Sequence, residues 1–160
     1  LSPIIEGGRS TTPYRSGTPV IAEAAALDKA LELALENIDL RTKSVEKSNK
    51  QIMENLKQYN NIYINSNENS VKNIINLSIK GIKSTEFVDY MGKNNICISG
   101  KTSCCPIDAP SKLVYAKTKD KNLSSTSVRI SLSHLTKQEE IEKFLKVLEK
   151  VQKELVNGKI

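Results

Sequence analysis

The sequence predicts a mixed α/β (α+β) domain: a small, mostly antiparallel sheet of three or four strands with long helices packed on one face. Three observations predict it. Apolar residues recur at three- and four-residue steps near both ends, from about 19 to 59 and from 136 to 155. The middle changes to a period of two, at Ile75, Leu77 and Ile79 and again at Val128, Ile130 and Leu132. The length of 160 residues suffices for one domain with a sizeable core.

Residues 1 to 18 carry Gly7-Gly8, Pro13, Gly17 and many hydroxyl side chains, which predicts an irregular opening segment. The start lacks an initiator Met, so the chain is expected to begin inside a longer protein. Residues 19 to 160 are expected to form the domain proper. Thr18 stands before Pro19 as a candidate N-cap, and Arg15 adds a charged fork beside it, so this turn reads either as an anion site or as an ordinary cap. Val20, Ala24, Leu27, Leu31, Ala34 and Ile38 then form a core-facing helical stripe. A second helix spans about Leu40 to Tyr59, with Val45, Ile52 and Leu56 on one side. Asn49 interrupts that stripe, which predicts a surface helix.

A short strand is expected at 61 to 65 and another around Ile75 to Ile79, closed by Gly81. Thr85 to Met91 reads as a short helix and 95 to 99 as a strand. Ser111 can cap a helical turn or two through Lys117, and 119 to 125 reads as a polar connection. In the strand 126 to 132, Val128, Ile130 and Leu132 share one face, so Arg129 falls on the other with Ser127 and Ser131. An arginine there needs a carboxylate, supplied by a substrate or by an internal ion pair. Thr136 and Glu139 have capping-box spacing, and Ile141, Phe144, Leu145, Leu148, Val151 and Leu155 continue as an amphipathic helix ending near Gly158. His134 reads as structural.

Between the strand at 95 to 99 and Pro106 lies the loop Lys101-Thr102-Ser103-Cys104-Cys105. A thiol reacts as its thiolate, which neighbouring positive charge such as Lys101 favours, so Cys104 or Cys105 is a candidate nucleophile. Adjacent loop cysteines are equally read as incidental. The formal net charge of +6 invites nucleic acid as a partner, but Trp is absent and no aromatics interleave with a basic patch, so base stacking has no platform. Three cysteines with no regular spacing form neither a disulfide framework nor a four-ligand zinc site. With no signal peptide and no run of about 20 apolar residues, a soluble, cytoplasmic protein without membrane contact is expected.

Arg15-Ser16-Gly17-Thr18 before an Ala-rich helix, Ser99-Gly100-Lys101-Thr102-Ser103-Cys104 after a strand, and Ser127-Val128-Arg129-Ile130-Ser131-Leu132 before Thr136 to Glu140 occur in one order. Together they resemble the C-terminal part of class V aminotransferases, in the cysteine desulfurase branch, over most of the chain. The resemblance implies the C-terminal small domain of a fold-type I enzyme that uses pyridoxal 5′-phosphate. Such an enzyme takes sulfur from L-cysteine, leaving alanine and an enzyme persulfide, and serves iron-sulfur cluster assembly. It implies Cys104 as the sulfur-accepting nucleophile, Arg129 as the ligand of the substrate carboxylate, and Thr18 as a contact to the cofactor phosphate across a homodimer interface. A sulfur-acceptor protein is the implied partner. The loop departs from the family pattern in having Ser103 before and Cys105 after Cys104, so either thiol is a candidate; the order hydroxyl, small residue, thiol favours Cys104. No lysine here sits in the family's cofactor-anchoring motif, so the chain alone is expected to bind cofactor poorly and not to turn over. Other class V aminotransferases and lyases, a basic nucleic-acid-binding module and a protein-interaction module are the alternatives.

Overall fold

In a computed structural model of the chain, which describes residues 2–8, 12–100, 106 and 109–156, two helices, two strands and three shorter helices precede the last strand and the last helix. They are α1 (Ile21–Glu36), α2 (Ile38–Leu56), β1 (Ile62–Ile64), β2 (Ile74–Ile79), α3 (Ser84–Lys93), α4 (Lys112–Thr118), α5 (Lys121–Ser125), β3 (Ser127–Ser131) and α6 (Gln138–Val151), which widens into a π-helical turn at Gln152–Val156. The chain divides into two compact units, Leu1–Asp39 and Leu40–Ile160.

In the first unit the opening segment folds back on itself. The Ile4 N–H donates to the Tyr14 carbonyl at 2.9 Å, and Ile5 and Arg15 form a parallel bridge. Helix α1 then corrects two expectations. It begins at Ile21 with Val20 at the cap position and no side-chain cap, so Thr18 is not its N-cap. Thr18 precedes Pro19, whose ring biases it toward extended backbone two residues before the first i→i−4 bond, from Ala24 to Val20. The apolar stripe also is not core: α1 buries no residue, and Leu27, Leu31 and Leu35 are all more than half exposed.

In the second unit β1, β2 and β3 form a three-stranded antiparallel sheet in that order. Its alternation sends Ile75, Leu77 and Ile79 with Val128, Ile130 and Leu132 to one face, where all six are buried. Phe87 and Met91 of α3 and Ile141, Phe144, Leu148 and Val151 of α6 join them in one core. Helix α2 belongs there too, contrary to its weak stripe: Val45, Ile52 and Leu56 are buried. Asn49 is tolerated beside them because its Nδ2 donates to the Lys72 carbonyl at 2.9 Å, so no amide is stranded. Gly81, at φ +93°, supplies the left-handed turn that leads from β2 toward α3.

Three local expectations change. Residues 95 to 99 form no regular strand and touch β3 through one bridge, Ser99 to Arg129. The stretch 119 to 125 contains helix α5 instead of a plain connection, because the Asp120 Oδ1 accepts from the N–H groups of Asn122 and Leu123 and caps it. The α6 cap lies one residue later than predicted: Lys137 N–H donates to Glu140 Oε2 at 2.8 Å, while Thr136 Oγ1 accepts from Ser133 N–H in the preceding turn. Ser111 caps α4 as expected, accepting from Val114 N–H.

Candidate functional site

The second face of the sheet is built from polar residues at the positions the alternation leaves over. Asn76 and Ser78 on β2 stand opposite Arg129 and Ser127 on β3. Leu132 N–H donates to Asn73 O and Ile79 N–H to Thr126 O, so hydrogen-bonded pairs fall at every second step and the Asn76–Arg129 pair lies between them. Such non-hydrogen-bonded pairs bring their side chains closest, with Cα atoms about 4.5 Å apart.

A chain of side-chain hydrogen bonds fixes this face. Ser78 Oγ donates to the Leu123 carbonyl at 2.7 Å, which commits its proton. Asn65 Nδ2 therefore donates to Ser78 Oγ at 2.9 Å and to Asn76 Oδ1 at 2.7 Å. Ser127 Oγ donates to the same Asn76 oxygen at 3.2 Å. Lys117 Nζ donates to the Asn65 carbonyl and ties α4 to the end of β1. Asn65 Oδ1 is left buried without a partner.

Arg129 is half-buried on this face, as the alternation predicts. Its Nε is buried with no hydrogen-bond partner, and the guanidinium enters no ion pair among the described residues. The internal salt bridge, one of two sequence-level readings, is therefore not made there. A charged donor without an acceptor is costly when shielded from water, and Arg129 Nε has no acceptor among the described residues.

The backbone of Arg129 is held equally firmly. Its N–H donates to Ser99 O at 2.7 Å, and its carbonyl accepts from Ser99 N–H at 3.1 Å. Ser99 and Gly100 are the last described residues before the cysteine loop. Cys104, Cys105 and Lys101 lie outside the described residues. Cys97 is an exposed free thiol, and His134 is exposed.

Thr18 lies in the first unit and is exposed; its carbonyl accepts from Arg15 Nη1 at 3.4 Å, so guanidinium and hydroxyl share one turn. Sequence reasoning singled out Arg129 but missed Asn65, Asn76, Ser78 and Ser127 as one network. The alternation put Asn76 and Ser78 off the core face, but only the strand register pairs them with Arg129 and Ser127. Among the described residues no helix is long and apolar enough to cross a membrane.

The profile of the family described as aminotransferase class-V matches residues 7–144. Among curated relatives, a cysteine desulfurase IscS of Serratia proteamaculans is 25% identical over 148 residues, which are 91% of this chain and 36% of that protein. Its counterpart in Dictyoglomus turgidum is 26% identical over 97% of this chain and 40% of its own length. Among solved structures, a NifS-like protein of Rickettsia africae superposes with a TM-score of 0.77 at 25% identity, covering 94% of this chain and 40% of that one. A second NifS-like protein at 23% identity has a TM-score of 0.79 and shares the fold. The chain thus spans about two fifths or less of the length of these relatives. With a matching profile over most of its residues, the chain belongs to the class V aminotransferase family, whose enzymes use pyridoxal 5′-phosphate.

Proposed function

We propose that the chain is the C-terminal small domain of a cysteine desulfurase that uses pyridoxal 5′-phosphate, and that this segment is inactive alone. The observation that carries the reading is the unpaired Arg129 side chain on a polar sheet face, with its own backbone anchoring the residue from which the thiol loop departs. Five steps of chain lead from Ser99 to Cys104, so the Cys104 Cα can lie no farther than about 18 Å from that anchor. That tether supports a reading in which guanidinium and thiol serve one cleft.

In this reading Arg129 grips the α-carboxylate of L-cysteine with two parallel hydrogen bonds, which fixes the substrate sulfur in register. The Cys104 thiolate, favoured by Lys101, attacks that sulfur. An S–S bond forms as the substrate C–S bond breaks; the electron pair stays with carbon, which takes up a proton and leaves as alanine. The product on the enzyme is a persulfide, passed on to a sulfur-acceptor protein. Pyridoxal 5′-phosphate, when bound, supplies the electron sink at the amino acid's Cα. Across the homodimer interface, the Thr18 hydroxyl and neighbouring Arg15 fit the phosphate of the partner subunit's cofactor, because an exposed hydroxyl and a guanidinium on one turn are the donors a phosphate takes. The remaining contacts would come from a large domain and the partner of a cytoplasmic homodimer.

Expression of the longer protein tests this directly. It is expected to be yellow and to form persulfide from L-cysteine; Cys104→Ala abolishes the persulfide and Cys105→Ala does not. Cofactor absorbance together with sulfide release by the 160-residue chain alone would refute the claim of inactivity. Normal cofactor binding with transamination but no persulfide would favour an aminotransferase of the same family.

A further inference from the structure

We propose that Asn76 is a second substrate-binding residue: its Nδ2 and the Arg129 guanidinium together cradle one carboxylate. This rests on the reading of Arg129 as the carboxylate ligand and adds a donor to it. The bond chain through Leu123, Ser78 and Asn65 leaves the Asn76 amide one orientation. Asn65 Nδ2 and Ser127 Oγ both occupy Oδ1, from the side of Ser78 and Ser127. Nδ2 is thereby turned from that side, and it has no partner among the described residues. Its cross-strand neighbour at the close, non-hydrogen-bonded pair is Arg129, whose Nε is also without a partner.

Two donors cannot satisfy each other. On cross-strand neighbours, and with no acceptor for either among the described residues, they suit a group with two acceptor oxygens in one plane, which is a carboxylate. The network behind Asn76 holds the amide against rotation, since turning it would set its NH2 against the donors of Asn65 and Ser127. The arrangement predicts selectivity for a planar carboxylate and a loss on any change that removes the donor while keeping the acceptor.

The test is a side-chain NMR titration of the 160-residue chain with acetate, against chloride at equal ionic strength. The Asn76 Nδ2 protons and the Arg129 Nε proton are expected to shift along one saturable curve. Asn76→Asp keeps an acceptor for Asn65 and Ser127 but sets a carboxylate opposite Arg129, so acetate binding should weaken by at least about tenfold, through loss of the amide donor and through competition for the guanidinium. Arg129→Lys should weaken it as well. A saturable Arg129 shift with a silent Asn76 amide overturns this inference and leaves the role of Arg129 standing. Silence of both overturns the inference and the carboxylate role of Arg129 alike. The wild-type titration decides the matter even should a variant fail to fold.

Discussion

The two faces of β2 and β3 share one backbone and differ in whether they are finished. On the apolar face Ile75, Leu77, Val128 and Ile130 are buried in one core with side chains of α2, α3 and α6. On the polar face Ser78, Ser127 and Asn65 are buried, Asn65 bonded to Ser78 and both Asn65 and Ser127 bonded to Asn76, but Arg129 Nε and Asn65 Oδ1 are stranded among the described residues. Buried polar groups in a folded domain are nearly always paired. The difference teaches where the domain's own side chains complete a layer and where, among the described residues, buried polar atoms are left without a partner.

Breaking the apolar face should have the largest effect. Phe87→Ala or Leu148→Ala, each at a fully buried position, is expected to cost about 3–5 kcal/mol of unfolding free energy in urea titrations. By contrast Leu31→Ser on α1 should change it by no more than about 0.5 kcal/mol, because α1 contributes no buried side chain.

Cutting the bonded part of the polar face should cost less. Ser78→Ala leaves the Leu123 carbonyl without its donor and Asn65 Nδ2 with one partner fewer, for a loss of about 1–3 kcal/mol in the same titration.

Arg129→Leu sharpens the comparison by changing its sign. Removing a buried donor that has no partner should leave stability within about 1 kcal/mol of the parent, or raise it, while abolishing carboxylate binding. A large destabilisation would mean that Arg129 holds the fold together and is not held in reserve.

The smallest effect concerns pH. Burial, with Glu149 nearby, pushes the Tyr59 phenol above its ordinary value of 10.0. The hydrogen bond from Tyr90 Oη to Glu154 Oε2, at 2.6 Å, raises that phenol too. A raised folded value means that the native chain keeps its proton longer than the unfolded one. Stability should therefore decline as pH climbs from about 10 through the folded values. Tyrosinate absorbance against pH should show both groups titrating later than free tyrosine; ordinary titration of both would break the assignment.

Much of this was legible from the residues. Period-two alternation gave β2, β3 and the side on which Arg129 falls, and cap chemistry gave Ser111. The helices show the limit. The apolar residues of α1 recur at helical steps and suggested core, yet none is buried, whereas Val45, Ile52 and Leu56 of α2, whose stripe Asn49 interrupts, are buried and the Asn49 amide is bonded to a carbonyl distant in sequence. A stripe says that a face is apolar, and only a partner surface decides whether it is covered. Likewise the pairing of Asn76 with Arg129 depends on a register between strands fifty residues apart, which no local pattern carries. Cys104, Cys105 and Lys101 lie outside the described residues, so the thiol half of the site rests on sequence alone.

The sheet's margins bear on how copies of this chain meet one another. On β1 the outward-facing residues are Ile62 and Ile64, and the Ile62 N–H is already given to the Tyr59 carbonyl. On β3 the central outward rung, Arg129, is engaged by Ser99, so only Ser127 and Ser131 flank it. A foreign strand would find isolated rungs and no continuous ladder on either margin. Accretion into fibrils by strand addition is thereby discouraged.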